Sequence, residues 1–214
     1  MSAAASDSAP LVRPAVCAVI FDLDGTLTEP YFDFDAIRRE IGLPTEPRTP
    51  ILESLGGMSP KQRLRAEAIL HRHEENAARE SELRDDALEV LATLRRHKIP
   101  LGLLTRNSRR SVDVVIAKHG IQVDYVQTRE DGPLKPSPEP VLAICRQFAV
   151  PAESAWLVGD YLFDLQAGRA AGVTTVLMIG DGPRPDFADE ADHVIRRLHE
   201  LLGLLSITPT PSGR

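Results

Sequence analysis

The 214-residue sequence has little cysteine and no excess of positive charge. Cys17 and Cys145 are too few for a disulfide framework, and no cluster of cysteine and histidine has the spacing of a zinc site. We therefore expect a reducing, cytoplasmic location. Lysine and arginine total 25 against 31 for aspartate and glutamate, which gives a net charge of −6. Because binding to a polyanion needs a positive field, we expect no nucleic-acid partner.

Long hydrophobic runs are also absent. No segment approaches the length of a membrane span, and residues 1–14 lack the apolar run that a signal peptide needs. We therefore expect no membrane partner. Residues 1–14 and 206–214 are rich in small residues and proline, which predicts disordered tails. A phosphate-binding loop of the form Gly-x-x-x-x-Gly-Lys-Ser/Thr is missing as well.

Short apolar runs that alternate with helical patterns make up most of the sequence. Residues 15–23 are almost continuously apolar, which is typical of a strand buried on both faces of a parallel sheet. Strands that alternate with helices favour right-handed βαβ units. The sequence therefore predicts the α/β class, with a Rossmann-like doubly wound parallel sheet. Further strands are predicted at 99–104, 123–127, 155–158 and 174–179, and helices at 85–97, 111–119, 139–148 and 164–171.

One segment interrupts the alternation of strands and helices. Residues 29–82 contain no convincing strand but have helical patterns. We expect a small α-helical cap here, inserted after the first strand. With little apolar surface of its own, it should lean on a core domain made of 15–28 and 83–205. The predicted cap helices are 33–41, 49–55 and 59–80.

Polar side chains follow three of the predicted strands at the point where each strand ends. Because the carboxyl ends of parallel strands meet at one edge of the sheet, we expect these side chains to lie close together. A lysine in the loop before the helix at 139–148 should join them. The set consists of Asp22, Asp24, Gly25, Thr105, Arg106, Asn107, Lys135, Asp160 and Asp164.

This set suits phosphoryl transfer through a covalent intermediate. Asp22 can attack phosphorus as a carboxylate nucleophile and form an aspartyl phosphate, which water then cleaves. Asp24, two residues further on, can give a proton to the leaving oxygen and later take one from water. Lys135 neutralises charge on Asp22 and on the phosphoryl oxygens. Thr105 and nearby groups bind those oxygens, so Gly25, Thr105, Arg106, Asn107 and Lys135 are the predicted substrate-binding residues.

A divalent cation is expected between the acids. A carboxylate that attacks a phosphate anion needs positive charge between the two, and Mg²⁺ would supply it. The predicted ligands are the carboxylates of Asp22 and Asp160 and the main-chain carbonyl of Asp24, with Asp164 binding the metal directly or orienting its waters.

Four segments of the chain resemble the four motifs of the haloacid dehalogenase-like phosphatase superfamily. The string Asp-Leu-Asp-Gly-Thr-Leu that starts at Asp22 is similar to the first motif residue for residue. Thr105 and Lys135 fall where the second and third motifs place their Ser/Thr and Lys, and Gly159-Asp160 with Asp164 falls where the fourth places its paired acids. The resemblance runs from about residue 16 to residue 179.

The resemblance implies a Rossmann-like core with a central first strand, a Mg²⁺ requirement and a helical cap after the first motif. It points to the phosphatase branch with a short helical cap, similar to phosphoglycolate phosphatases. The sequence departs from the pattern at Tyr161, where many relatives have a small hydroxyl residue. The cap is also shorter than the full four-helix cap of those relatives, which weakens any specific substrate name.

The expected activity is hydrolysis of a small phosphorylated metabolite by a monomer or a weak homodimer. A phosphomutase shares all four motifs and stays open, as does a binding or regulatory module without turnover. A calcium loop starting at Asp22 does not fit, because its sixth and twelfth positions would be Leu27 and Asp33 rather than Gly and Glu. His71 and His73 lie two residues apart on the predicted cap helix and so do not share a face, and the nearby Glu74 and Glu75 indicate a solvated surface. The cap also has five cations that are interpreted as a solvent-exposed face, from which one can reach a second anionic group of a substrate. They are Arg38, Arg39, Lys61, Arg63 and Arg65.

Overall fold

A six-stranded, fully parallel sheet forms the centre of the protein. The computed structural model describes residues 16–207, so most of the two predicted tails lies outside the described residues. The strand order is β3-β2-β1-β4-β5-β6, with each strand parallel to its neighbours. The predicted doubly wound α/β sheet with a central first strand is confirmed. The strands are β1 Ala18–Phe21, β2 Leu101–Leu104, β3 Tyr125–Gln127, β4 Ala155–Gly159, β5 Thr174–Met178 and β6 His193–Ile195.

Strand β1 is buried on both faces because helices cover both sides of the sheet. Its four residues are fully shielded from solvent. Val19 and Phe21 belong to the apolar cluster on one face, and Ala18 and Ile20 belong to the cluster on the other. Alternate side chains of a strand point to opposite faces, so a strand in this position must be apolar throughout.

Within residues 16–207, eight α-helices surround the sheet or form the cap. The predicted helix at 139–148 has those bounds in the structure, and each of the others differs by one or two residues at one or both ends. Strand β6 and the last helix were not predicted, because three and five residues are too short to show a period in the sequence. The helices are α1 Phe34–Ile41, α2 Ile51–Ser54, α3 Pro60–Glu80, α4 Ala87–Arg96, α5 Arg109–His119, α6 Glu139–Phe148, α7 Leu162–Ala171 and α8 Glu200–Leu204.

Helices α1, α2 and α3 lie together between β1 and α4 and form the segment predicted as a cap. An antiparallel bridge between Thr28 and Leu83 joins the two chain crossings at its base, where the predicted boundaries fall. The expectation of little internal apolar surface was wrong. Because these helices present apolar side chains to one another, they enclose a small core of their own, made of Ile37, Ile51, Leu55, Ala66 and Leu70.

The described chain ends beyond α8. Ile207, within the predicted second tail, is partly buried and packs against the core cluster that contains Phe21. Its backbone N–H donates to the carbonyl of Leu202 at 2.8 Å. Within residues 16–207, none of the helices combines the length and the apolar character needed to cross a bilayer.

Candidate active site

A tight turn carries the chain out of β1 and presents the first acids. The backbone N–H of Asp22 donates to the carbonyl of Val158 at 2.8 Å, which extends the pairing of β1 with β4 by one residue. The chain then folds back over Leu23–Leu27, with Gly25 at a φ of 80°. A side chain at Gly25 would have its Cβ 2.1 Å from Oδ2 of Asp160. Glycine is therefore required both by the backbone conformation and by the approach of Asp160.

A buried arginine stabilises this turn through hydrogen bonds to its backbone carbonyls. Arg84, just before α4, donates from Nη2 to the carbonyl of Gly25 at 2.7 Å and from Nε to the carbonyl of Thr26 at 3.1 Å. It also pairs with Glu29 at 3.1 Å. Sequence reasoning did not find Arg84, because an arginine at the end of an inserted segment carries no motif. Its effect is to bind the turn after β1 to the chain that returns from the cap.

Lys135 lies at the centre of the acids and is almost completely buried. Its Nζ donates to Oδ1 of Asp22 at 2.5 Å, to Oδ1 of Asp164 at 2.6 Å and to the carbonyl of Leu104 at 3.0 Å. Burial alone would lower the pKa of Lys135, but the facing carboxylates of Asp164 and Asp22 raise it above its ordinary value. The ammonium therefore stays charged and ties together the ends of β1, β2 and α7.

Three carboxylates crowd around a single point beside Lys135. One oxygen each from Asp22, Asp160 and Asp164 lies within 4.8 Å of the others. Burial raises the pKa of Asp22 to about 6, against the opposing effect of Lys135. The pKa of Asp160 is also raised, first by burial and then by repulsion from Asp22 and Asp164. One ammonium does not balance these acids, so the site is short of positive charge.

This donor set fits Mg²⁺. Hard cations of this kind bind carboxylate oxygens, and Mg²⁺ uses one or two carboxylates together with substrate phosphate. Asp22 and Asp160 each have an oxygen in the cluster. Because Gly25 has no side chain, there is space for the Asp160 carboxylate at this position. Both carboxylate oxygens of Asp164 already accept hydrogen bonds, Oδ1 from Lys135 and Oδ2 from the backbone N–H of Tyr161 at 3.1 Å. They are therefore less available to a metal.

Asp24 lies in the same cleft but faces different partners. Its side chain is not part of the three-carboxylate cluster, and its Oδ2 accepts from Nδ2 of Asn107 at 2.6 Å. Burial, with the nearby charge of Asp22, raises the pKa of Asp24 to about 7. The backbone N–H of Asn107 donates to Oγ1 of Thr105 at 3.2 Å, and Thr105 is buried at the end of β2. The structure thus brings the predicted residues after β1 and β2 together in one cleft.

Comparisons with known proteins agree with this geometry. A family model described as haloacid dehalogenase-like hydrolase matches residues 31–178. The chain is 30% identical over 170 residues to a haloacid dehalogenase-like hydrolase domain-containing protein of Arabidopsis thaliana, covering 75% of this chain and 69% of the relative. A phosphoglycolate phosphatase of Nitrosococcus oceani is 28% identical over 216 residues, which cover 88% of this chain and 96% of the relative. The crystal structure of a hydrolase from Pseudomonas syringae aligns with a TM-score of 0.76 at 20% identity, covering 89% of this chain and 98% of that one.

The chain belongs to the haloacid dehalogenase-like hydrolase family. The resemblance inferred from the four motifs, to a branch similar to phosphoglycolate phosphatases, is confirmed. The expected enzyme class, a phosphoric monoester hydrolase of this family, is confirmed as well. The roles of the individual site residues stay predictions.

Arg106 connects the cap of this haloacid dehalogenase-like hydrolase to its core. The guanidinium donates from Nη2 to both carboxylate oxygens of Glu53 in α2, at 2.7 and 2.9 Å. It also donates to the carbonyl of Lys135 and lies 4.9 Å from the centre of the Phe163 ring. Arg106 lines the cleft, and in this conformation its charge is paired with the cap, so its role in substrate binding stays a prediction.

Glu74 was interpreted as a solvated residue, and this was wrong. Glu74 in α3 is 5% exposed and lines the cleft. It accepts from Oγ of Ser108 at 2.8 Å and from Nη1 of Arg129, both of which belong to the core. Glu74 follows the buried Leu70 by one helical turn, and this spacing is the signal in the sequence that places it on the inner face of α3.

The neighbouring histidines are partly exposed, and His73 also lines the cleft. His73 pairs with Glu40 at 2.9 Å and His71 pairs with Glu75 at 3.3 Å, with all four side chains roughly one third exposed. These contacts are of the kind that exposed helices of a cap make.

The cleft between cap and core encloses a cavity of about 640 Å³ above the acids. Asp22, Asp24, Asp160 and Lys135 line its floor. Of the five cap cations considered above, Arg38 is buried and lines this cavity. Its interpretation as part of a solvent-exposed face was therefore wrong. Its guanidinium donates to the carbonyl of Thr49 at 3.0 Å, while the other four cap cations are exposed.

Proposed function

We propose that this protein is a Mg²⁺-dependent phosphatase that hydrolyses a small phosphorylated metabolite through an aspartyl phosphate on Asp22. The observation that carries the proposal is the position of Asp22. Its carboxylate is held by Lys135 at 2.5 Å, shares a cluster with Asp160 and Asp164, and lies on the floor of the cavity. A carboxylate fixed in this way can act as a nucleophile toward a phosphate placed above it.

Mg²⁺ would supply the positive charge that the site lacks and reduce the repulsion between the attacking carboxylate and the phosphate. We assign Asp22, Asp160 and the main-chain carbonyl of Asp24 as its ligands. Asp164 is held by Lys135 and by the backbone of Tyr161, so we assign it the task of orienting the other groups. Such orientation of ligands by hydrogen-bonded neighbours is a general requirement of metal sites.

The reaction has two steps at phosphorus. In the first step, an Asp22 oxygen forms a bond to phosphorus, the ester P–O bond breaks, and the leaving oxygen takes a proton from Asp24. In the second step, water attacks phosphorus, its proton passes to Asp24, and inorganic phosphate leaves while the Asp22 carboxylate is restored. Lys135, Thr105 and backbone N–H groups near the end of β2 stabilise the negative charge on the phosphoryl oxygens.

The environment of Asp24 supports its role in proton transfer. A carboxyl group of ordinary pKa is ionised at neutral pH and has no proton to give, whereas burial raises the pKa of Asp24 to about 7. Asn107 holds one of its oxygens at 2.6 Å and so fixes the direction of the other. The same group can then act as acid in the first step and as base in the second.

Phosphate release tests this proposal. With Mg²⁺ present, we expect inorganic phosphate from at least one member of a panel containing sugar phosphates, nucleotides, phosphoglycolate and pyrophosphate, and we expect a chelator to stop it. The phosphoglycolate phosphatase relative suggests phosphoglycolate as one member of that panel. Formation of an isomeric sugar phosphate without free phosphate would instead indicate a phosphomutase. Inactivity toward the whole panel would indicate a binding or regulatory module.

The nucleophile is tested by one substitution. We expect Asp22→Asn to abolish phosphate release while circular dichroism shows a folded protein, because an amide does not attack phosphorus. Asp113→Asn is the matched control, since Asp113 is exposed on α5, away from the cleft. Full activity of the Asp22→Asn variant would contradict the assignment.

The remaining expectations concern the setting of the enzyme. We propose a cytoplasmic enzyme that is a monomer or a weak homodimer and acts on a small molecule rather than on nucleic acid. Sedimentation of the purified protein tests the oligomeric state, and fractionation of cells that express it tests the cytoplasmic location.

A further inference from the structure

Aromatic side chains are concentrated around the cavity above Asp22. Aromatic residues make up only 5% of the chain, which has six Phe, three Tyr and one Trp. Five of these side chains line this one cavity. Three of them come from the cap segment at the start of α1, and two come from the loop and first turn of α7 in the core. They are Tyr31, Phe32, Phe34, Tyr161 and Phe163.

The aromatic rings of the cap form a connected group. Phe32 and Phe34 are stacked, with centroids 5.4 Å apart and an interplanar angle of 23°. Tyr31 meets Phe32 edge to face at 6.3 Å. Phe34 and Tyr31 nevertheless remain 56% and 47% exposed. These two rings are therefore held in place by Phe32 while leaving much of their surface uncovered.

The aromatic rings of the core are arranged in a similar way. Tyr161 meets Phe163 edge to face at 5.1 Å and Phe187 at 5.8 Å, yet it remains 50% exposed. The guanidinium of Arg106 covers part of Phe163. Tyr161 is the residue at which the sequence departs from the fourth motif. The departure places an exposed ring at the edge of the cavity.

Exposed aromatic side chains occur nowhere else in the described chain. Among residues 16–207, the other large apolar side chains with comparable exposure are aliphatic, namely Leu64, Leu88, Val114 and Leu204, and none of them lines this cavity. Rings that only filled the core would be buried. Tyr31, Phe34 and Tyr161 instead remain exposed, although they come from two distant parts of the chain. Such exposed rings around one cavity are what a site that receives another flat apolar group requires.

We propose that the substrate is a phosphate monoester whose alcohol part carries a planar aromatic or heteroaromatic ring. The ring would stack against Tyr31, Phe34 and Tyr161 while the phosphoryl group lies at Asp22. This inference rests on the phosphatase activity proposed above and specifies its substrate class. A cavity of about 640 Å³ is within the size range of pockets that enclose ring-bearing ligands, and such ligands are recognised by aromatic walls with a few polar groups.

A matched pair of substrates isolates the contribution of the ring. A nucleoside 5′-monophosphate and ribose 5-phosphate have the same primary alcohol as leaving group and differ in the presence of the base. We expect kcat/KM to be higher for the nucleoside monophosphate, by on the order of ten-fold, because stacking of one base on an aromatic side chain has about that effect. Acetyl phosphate, which has no ring, serves as the reference substrate for phosphatase activity as such.

Substitutions at the cavity edge test which side chains are responsible. We expect Phe34→Leu to reduce the kcat/KM ratio of the two substrates several-fold, because leucine keeps the apolar volume but has no ring face. Tyr31→Ala provides a second variant at a different position, and its high exposure makes loss of folding unexpected. Leu64→Ala, an exposed apolar residue of the cap that does not line the cavity, should leave the ratio unchanged.

The outcomes separate this inference from the proposed function. If acetyl phosphate is hydrolysed with Mg²⁺ but the nucleoside monophosphate has no advantage over ribose 5-phosphate, the ring-binding inference is overturned and the phosphatase remains. An advantage that Phe34→Leu and Tyr31→Ala leave intact overturns it too. If none of the three substrates releases phosphate but another member of the panel described above does, the ring-binding inference is overturned and the phosphatase remains. If no member of that panel does either, the proposed function fails and the inference fails with it. An advantage lost in both variants but kept in Leu64→Ala supports the inference.

Discussion

At the end of β1, two aspartates two residues apart have different partners. Asp22 faces Lys135 at 2.5 Å, whereas Asp24 faces the amide of Asn107 at 2.6 Å. The turn between them separates a carboxyl group held by an ammonium from one held by a neutral amide. Acid–base pairs in active sites are commonly built by such differences in environment.

The role of Asp24 predicts a loss of activity that depends on the leaving group. Asp24→Asn keeps the shape of the side chain but cannot donate a proton from a carboxyl group. We expect phosphate release from alkyl phosphates to fall by about 10² to 10⁴. Release from p-nitrophenyl phosphate should fall much less, because its leaving group needs no proton. Equal losses for both kinds of ester, measured as kcat/KM, which reports the first step without the later hydrolysis, would contradict the assignment.

The glycine of the turn predicts a second effect at the residue scale. A left-handed conformation costs a residue with a side chain about 1 to 2 kcal/mol, and the new Cβ of Gly25→Ala would push against Asp160. We expect a lower urea midpoint and a loss of activity on the order of 100-fold, which displacement of a catalytic group by an ångström can cause. Gly203→Ala in α8, where a Cβ meets no atom within 4 Å, is the control and should retain activity.

The residues of the site differed in how far the sequence could predict them. Asp22, Asp24, Lys135 and Asp160 follow from strand ends and motif strings, because parallel strands bring their carboxyl ends together. Arg84 was missed because it acts through backbone carbonyls that any sequence would provide. Sequence alone does not reveal which carbonyls a fold leaves near a lone arginine.

At the scale of elements, helix α3 decides how the cap rests on the core. Its inner face continues from apolar residues to Glu74, whose carboxylate is held by Ser108 and Arg129 of the core. Periodicity predicted the helix, since its apolar residues recur at helical spacing. It did not predict a buried acid within that face, because the partners come from loops distant in sequence.

The buried acid predicts unequal effects for two neighbouring glutamates. Glu74→Ala removes the buried partner of Arg129 and leaves it only the exposed Glu130, so we expect a loss of about 2 to 4 kcal/mol in the free energy of unfolding. Glu75→Ala removes a pair with the exposed Arg110 and should cost about 0 to 1 kcal/mol. Urea denaturation of both variants measures the difference. Similar values for the two would show that the contact between α3 and the core contributes little.

At the scale of the whole molecule, the sheet concentrates negative charge at one edge. The doubly wound parallel sheet was predictable because alternation and right-handed crossovers leave few topologies, and the family resemblance implied its central first strand. Strand β6 and α8 were not, because they are short and obtain their stability from packing against the finished core. The acids at the edge place repulsion in a protein whose overall charge is already −6.

The burial of these acids, together with the repulsion between them, predicts how stability depends on pH without metal. The pKa of Asp22 is raised from 3.8 to about 6 and that of Asp24 from 3.8 to about 7, so the folded state binds these protons more tightly than the unfolded state does. The contribution of these groups to stability is therefore present below about pH 4 and is lost as pH rises toward 7.

Mg²⁺ should reduce this loss, because a ligand that binds the folded state stabilises it. Thermal unfolding across this pH range, with Mg²⁺ and with a chelator, measures the effect. We expect Asp160→Asn to unfold at a higher temperature than the wild type in the chelator and to gain less from Mg²⁺. An identical response of wild type and variant to Mg²⁺ would contradict the assignment of Asp160 as a ligand.

The nucleophilic attack of Asp22 is the central claim, and trapping of the intermediate tests it most directly. Enzyme turning over substrate with Mg²⁺ is quenched in acid, digested and examined by mass spectrometry for a phosphoryl group on the peptide that contains Asp22. We predict a phosphoryl group on Asp22 that survives a brief acid quench and is removed rapidly by base, and that is absent from the Asp22→Asn variant. Continued release of phosphate with no phosphoryl group on that aspartate, under conditions in which the quench precedes hydrolysis, would contradict the account.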